Sequence, residues 1–119
     1  MRVITGTARG RRLKELEGME TRPTTGKVKE SLFSIIQFDI EGRRVLDLFA
    51  GTGQLGIEAL SRGARQCVFI DQRNDAVKLI RENLQVCGLT GSAIVRSGDA
   101  MAYLKSGEKF DLIFLDPPY

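Results

Sequence analysis

An α/β fold with a parallel sheet is predicted by three features of this 119-residue sequence. From Val45 onward, short apolar runs alternate with stretches of helical periodicity. Two of these runs, Cys67-Val68-Phe69-Ile70 and Leu112-Ile113-Phe114-Leu115, are apolar at every position, as strands covered by helices on both faces are. The first run, Val45-Leu46-Asp47-Leu48-Phe49, passes into Ala50-Gly51-Thr52-Gly53-Gln54-Leu55-Gly56, a glycine turn ahead of a helix. The spacing Gly51-x-Gly53-x-x-Gly56 is that of a Rossmann-like nucleotide-binding turn. Asp71 follows about 20 residues later, where a ribose-binding acid is expected.

Taken in order, the chain opens on Val3-Ile4 and Leu13, which flank a glycine-bearing basic segment. Two short strands and a turn are expected there, a small N-terminal hairpin with its arginines on and beside the tip. Residues 15–22 read as a polar connector. Arg22-Pro23-Thr24-Thr25 reads as a helix start, because proline biases Arg22 to an extended shape and either threonine can cap. Val28, Leu32, Ile35 and Ile36 then recur at helical spacing and predict an apolar face on a helix near residues 25–37. Strands are expected at 45–49, 67–71, 93–97 and 111–115, with helices near 54–62, 73–87 and 100–105. In the second of these helices Val77, Ile80, Leu84 and Cys87 form the buried stripe, and Gly88 supplies the stop. The expected division is a basic arm over residues 1–22 and an α/β domain over 23–119.

Composition narrows the chemistry. The sequence has no histidine, which removes Ser-His-Asp and Cys-His catalysis and the common zinc sites. Cys67 and Cys87 lack metal-type spacing and read as buried free thiols in a reducing cytosol. Met1 to Gly6 lacks the apolar core of a signal peptide, and no apolar run reaches the roughly 20 residues that span a membrane. A cytoplasmic protein is expected. The net charge of +3 is unevenly placed: residues 1–44 hold ten basic and six acidic side chains, residues 45–119 eight and nine. Arg2, Arg9, Arg11, Arg12 and Lys14 have no acid among the first 14 residues. Such an arm suits a polyanion, nucleic acid first, or is a solvated terminus.

Each expected strand carries an aspartate at or near its C-terminal end: Asp47, Asp71, Asp99 and Asp116. Parallel strands end on one edge, and ligands bind along it where the strand order reverses. An acidic rim suits a ligand with hydroxyls, amines and a positive centre. A nicotinamide dinucleotide would set its pyrophosphate on the glycine turn, where Asp47 repels it. S-adenosylmethionine has no phosphate. Asp47 can serve its ammonium directly or through water, Asp71 both ribose hydroxyls, and Asp99 the adenine amine.

The last residues, Asp116-Pro117-Pro118-Tyr119, follow a buried strand onto the same rim. Prolines fix φ and offer carbonyls without N–H groups. The segment therefore presents acceptors, the Asp116 carboxylate and the Pro117 carbonyl, to a planar amine with two N–H donors. Tyr119 can stack on the base that carries it.

Asp47-Leu48-Phe49-Ala50-Gly51-Thr52-Gly53 followed by Asp116-Pro117-Pro118-Tyr119 resembles the class I, amino-directed S-adenosylmethionine methyltransferases. Arg2-Val3-Ile4-Thr5-Gly6 with Gly10-Arg11, then Arg22-Pro23-Thr24-Thr25 and Val28-Lys29-Glu30-Ser31-Leu32-Phe33, is similar to the RsmD-type family of bacterial 16S rRNA (guanine-N2)-methyltransferases, over essentially the whole chain. The resemblance implies transfer to N2 of one guanine in small-subunit rRNA. It implies a cofactor site of Asp47, Phe49, Gly51, Gly53, Asp71, Asp99 and Ala100, closed over by Arg22 to Thr24. It also implies that Asp116, Pro117, Pro118 and Tyr119 hold the base, while Arg9, Arg11 and Arg12 are placed to meet RNA phosphates. The family's chains continue past this tetrapeptide to a seven-stranded sheet. The strand at 111–115 is thus expected as an open apolar edge, free to pair with a second copy, and the 119 residues alone are expected to lack part of the base pocket. Adenine-N6 transfer to DNA or rRNA is the alternative substrate chemistry, a non-catalytic cofactor- or RNA-binding fragment the alternative class, and a nicotinamide oxidoreductase a more distant one.

Overall fold

A computed structural model describes residues 1–15 and 26–117. The expected helix start at Arg22 to Thr25, and with it Pro118 and Tyr119, lie outside the described residues. The elements run α1 (Gly26–Ile36), β1 (Arg44–Leu48), α2 (Gln54–Ser61), β2 (Gln66–Asp71), α3 (Asn74–Cys87), β3 (Ala93–Ser97), α4 (Ala100–Leu104) and β4 (Leu112–Leu115). The strands form one sheet in the order β3-β2-β1-β4, with every neighbouring pair parallel.

Alternation along the strands divides the core in two. Val45, Cys67, Phe69 and Phe114 face Phe33 of α1, Ile57 of α2 and Ile80 and Leu84 of α3. Leu46, Leu48, Val68 and Ile70 face the other way, against Ala100 of α4 and the partly buried Tyr103 and Phe110. Full burial of a side chain such as Phe69 contributes about 1.5–3 kcal/mol. Gly56 sets the distance between α2 and the sheet: a Cβ there would lie 2.4 Å from the Phe69 ring and 2.7 Å from the Cys67 Sγ. In α3 the expected stripe is buried at Val77, Ile80 and Leu84, and Gly88 ends the helix with φ 69°.

Three expectations are corrected. The inward side of α1 is Lys29 and Phe33; of the expected stripe Leu32 and Ile36 are partly buried against the core, whereas Val28 and Ile35 are exposed. Phe33 packs tilted on Phe114 with ring centroids 5.5 Å apart, and Lys29 turns inward to a buried acid, which rotates the helix away from its most apolar stripe. β4 is covered on one face only. Phe114 is buried, but Ile113 and Leu115 are 47% and 64% exposed, because the cluster around Ala100 and Tyr103 covers that face over β1 and β2 and not over β4, which is the expected edge strand among the described residues. Residues 2–13 form a hairpin-like loop with a single antiparallel bridge, Arg2 to Arg12, rather than two strands. The N–H groups of Thr7 and Ala8 donate to Ser61 of α2 instead of across a ladder.

That loop is seated on the domain. Val3, Ala8 and Leu13 are buried in the main core, while Arg2, Arg9, Arg11, Arg12 and Lys14 point outward. Glu58 of α2, fully buried, accepts from the N–H groups of Ile4 at 2.8 Å and Thr5 at 3.0 Å. It also pairs with the buried Lys29 ammonium at 3.0 Å and with Arg62 one turn on at 2.9 Å. Lys29 in turn donates to the Arg2 carbonyl, and Arg62 lies over the Phe33 ring. Burial pushes the Glu58 carboxyl up, but the Ile4 N–H, the Lys29 charge and Arg62 more than reverse it, so the group sits below the usual glutamate range. Burial lowers the Lys29 ammonium, with Glu58 opposing. Gly6 completes the seam. Its φ is 94°, and a Cβ would meet the Ser61 carbonyl oxygen at 1.9 Å.

Candidate active site

The chain builds β1, β2 and β3 outward in one direction and then returns to the other side of β1 for β4. The order reverses between β1 and β4, and at such a reversal the connecting segments part and leave a crevice beyond the strand ends. The glycine turn follows β1 on one side of it and Asp116-Pro117 follows β4 on the other. Leu48 is paired with Leu115, so Phe49 and Asp116 each stand one residue past the last pair.

The turn needs left-handed backbone. Phe49, Gly51 and Gly53 have φ of 55°, 61° and 81°. Glycine adopts this freely, whereas a phenylalanine there is strained, and such strain clusters at functional sites. The Gly53 N–H closes the turn on the Ala50 carbonyl at 2.8 Å, and Ala50 donates to Ile70 of β2 at 3.0 Å. Gly51, Thr52 and Gly53 are all buried.

The acids differ in what they can offer. Asp71, half-buried at the end of β2, accepts from the Gly51 N–H at 3.0 Å and from the Arg73 N–H at 2.9 Å. It ties the glycine turn to the start of α3, and each carboxylate oxygen keeps a lone pair for a ligand. Asp99 is exposed after β3 and caps α4 through the Ala102 N–H at 2.9 Å. Ala100 is buried in the second core cluster with Leu46 and Leu48. Asp116 is half-buried and Pro117 exposed beyond β4. Asp47 is set apart. It is the fourth residue of β1, 1% exposed, and accepts from the Gly56 N–H in the first turn of α2 at 3.0 Å. A carboxylate thus already occupies the positive end of that helix, where a phosphate would otherwise sit.

Neither cysteine is held as a thiolate. Burial and the neighbouring Asp47 charge hold the Cys67 thiol well above its usual range, and burial also raises Cys87. Both are free of disulfides. The crevice brings together Phe49, Gly51, Gly53, Asp71 and, across the switch point, Asp116 and Pro117. Asp99 and Ala100 lie farther along the same sheet edge. Arg22 and Thr24 fall outside the described residues, as do Pro118 and Tyr119. Glu58, Ser61 and Asn83, which fix the arm and the turn, carry no motif. The one signal for them is the i,i+4 pair of Glu58 with Arg62, and nothing local marks that pair as buried.

Comparison with known proteins agrees with the fold. The family described as conserved hypothetical protein 95 matches residues 1–119. A Bacillus subtilis protein provisionally named as the rRNA methyltransferase YlbH is 50% identical over 123 residues, covering 100% of this chain and 67% of its own length. The Haemophilus influenzae ribosomal RNA small subunit methyltransferase D is 37% identical, covering 100% of this chain and 64% of its own length. A solved Escherichia coli structure, provisionally named as the methyltransferase yhhF, superposes with a TM-score of 0.90 at 38% identity, over 100% of this chain and 65% of that one. The chain therefore spans about two thirds of the length of these relatives. Matched from end to end, and carrying the glycine turn and the Asp116-Pro117 corner on opposite sides of one crevice, the chain belongs to this family, the RsmD-type methyltransferases.

Proposed function

We propose that the protein carrying this chain transfers a methyl group from S-adenosylmethionine to N2 of a guanine in small-subunit (16S) rRNA, in the cytoplasm. The observation that carries this reading is the reversal of strand order between β1 and β4, with a cofactor-type turn on one side and an acceptor-only corner on the other. The names of the relatives support rRNA as the substrate.

The residues fit a cofactor that has no phosphate. The buried Asp47 accepts from the Gly56 N–H in the first turn of α2, and leaves a negative field under Gly51 and Gly53 that favours an ammonium over a pyrophosphate. Asp71 has acceptor capacity for two hydroxyls at the end of β2. When bound, S-adenosylmethionine supplies an electrophilic methyl group on a sulfonium.

The chain's own residues do the rest. The exocyclic amine of guanine is a weak nucleophile, because its lone pair is delocalised into the ring. The Asp116 carboxylate and the Pro117 carbonyl accept from its two N–H groups, which favours a pyramidal nitrogen and frees the lone pair. Rate then comes from positioning and from a fixed acceptor field. The extra proton leaves after transfer, so a chain without histidine is no obstacle. Arg9, Arg11 and Arg12 hold phosphates of the RNA, and the target base is unstacked to reach the corner.

Asp116→Ala separates these roles. Labelled methyl transfer should fall about 10²-fold or more, while calorimetric affinity for S-adenosylmethionine stays within a few-fold. Near-normal transfer would remove Asp116 from the chemistry. Binding of NAD in place of S-adenosylmethionine would overturn the cofactor assignment.

A further inference from the structure

Asn83 lies on α3, on neither the sheet rim nor the arm, and its side chain is fully buried. Its Oδ1 accepts from the Lys14 N–H at 2.8 Å, and its Nδ2 donates to the Lys14 carbonyl at 3.1 Å. The other Nδ2 hydrogen goes to the Thr52 carbonyl, inside the glycine turn, at 3.0 Å. Both donors are thus used, one on each of two segments that are distant in sequence. At Thr52 the consequence is directional. A trans peptide points its C=O and N–H to opposite sides. With the Thr52 carbonyl held by Asn83, the Gly53 N–H is turned to the Ala50 carbonyl, as observed at 2.8 Å. The peptide at the centre of the turn is fixed at both ends, and one of those ends is held by the side chain that also holds Lys14 of the arm. Lys14 directly follows the hairpin-like loop that displays Arg9, Arg11 and Arg12, and its ammonium lies 3.5 Å from Glu82, the neighbour of Asn83. The two hydrogen bonds and the ion pair of Lys14 with α3 therefore converge on this corner.

We propose that Asn83 is a positioning residue that couples the basic arm to the glycine turn, so that RNA held by the arm and cofactor held by the turn bind cooperatively. This rests on the reading of those two ligands given above. Asn83 touches neither ligand; it acts by holding Lys14 and Thr52 in one arrangement that both favour. The coupling is reciprocal: what tightens the turn seats the arm, and what seats the arm tightens the turn.

The test uses Asn83→Asp, which keeps the volume and the acceptor for the Lys14 N–H but loses both donations. It is paired with Lys14→Pro, which removes the arm-side donor and leaves α3 intact. In ligand-free protein, amide exchange should rise together at Leu13 and Glu15 and at Gly51 to Gly53 in each variant, with β2 amides unchanged. A rise confined to one segment overturns the link. Affinity for S-adenosylhomocysteine is then measured with and without small-subunit particles. The unsubstituted protein should gain about five-fold or more from the particles, and Asn83→Asp should gain nothing beyond error. An equal gain in both overturns the proposal, since a merely structural asparagine would lower stability without altering that ratio. The unsubstituted protein also stands alone as a test, should the variants not fold. Saturating S-adenosylmethionine should slow exchange of the Lys14 amide by about five-fold or more, the same factor by reciprocity, and unaltered exchange overturns the proposal. If the unsubstituted protein bound neither cofactor form, the functional reading would fail, while the ligand-free exchange would still decide the link.

Discussion

The acids of the sheet rim and the acid of the arm seam have the same chemistry and opposite fates. Asp71, Asp99 and Asp116 sit where strands end, half-buried or exposed, and the first two spend lone pairs on one or two backbone N–H groups. Glu58 sits in the middle of α2, fully buried, and is consumed by two arm N–H groups, Lys29 and Arg62. Rim acids keep capacity for a ligand and stabilise little. The seam acid has no capacity left and holds the arm to the body. Asp47 belongs with the seam by burial and with the rim by position, and so acts on a ligand through its field.

The largest expected effect lies at the seam. Glu58→Gln leaves the Lys29 ammonium buried without a counter-charge, and breaking a buried pair in this way costs about 3–5 kcal/mol. The urea midpoint should fall accordingly. A shift under about 1 kcal/mol, the scale of an exposed ion pair, would mean that the seam does not hold the fold. Acid should loosen the same contact without mutation. Because the Glu58 carboxyl is depressed in the folded protein, its contribution is complete at neutral pH. It is lost as pH falls below the usual glutamate value, about 4.3, and through the lower folded value. Amide protection at Ile4 and Thr5 should follow that curve; protection independent of pH down to global unfolding would contradict it.

At the rim the balance reverses. Asp71→Asn should weaken S-adenosylmethionine by about 1.5–3 kcal/mol, the range for hydrogen bonds to a charged group, while stability changes by less than about 1 kcal/mol. Calorimetry and urea unfolding of one preparation give both numbers. A variant that binds normally but unfolds easily would move Asp71 to the seam class. The smallest effect is expected on the arm's outer face. Changing Arg9, Arg11 and Arg12 together to Ala should leave stability within about 0.5 kcal/mol. It should lower the slope of log affinity for RNA against log salt by about 2–3, at roughly 0.7–0.9 per phosphate contact. An unchanged slope would make the arm a structural strap alone.

The rim was legible in the sequence because its signals are local. The glycine spacing, the apolar runs and an acid near each strand end all follow from neighbours in the chain, and β3 falls on the expected residues 93–97. The seam was not legible, because its partners lie far apart: Ile4 and Thr5 meet Glu58, and Lys14 meets Asn83. Periodicity picked Val28, Leu32, Ile35 and Ile36 as the inward side of α1, and missed at Val28 and Ile35, since it counts apolar residues and cannot see that Glu58 draws Lys29 inward. Similarly, Asp47 was readable as an acid near the turn but not as one that bonds Gly56.

The most direct measurement is to incubate the protein and labelled S-adenosylmethionine with small ribosomal subunits and identify the methylated nucleoside. The account predicts label in N2-methylguanosine at one position of the small-subunit rRNA, abolished by Asp116→Ala. Label in N6-methyladenosine, or on DNA in preference to rRNA, would contradict it.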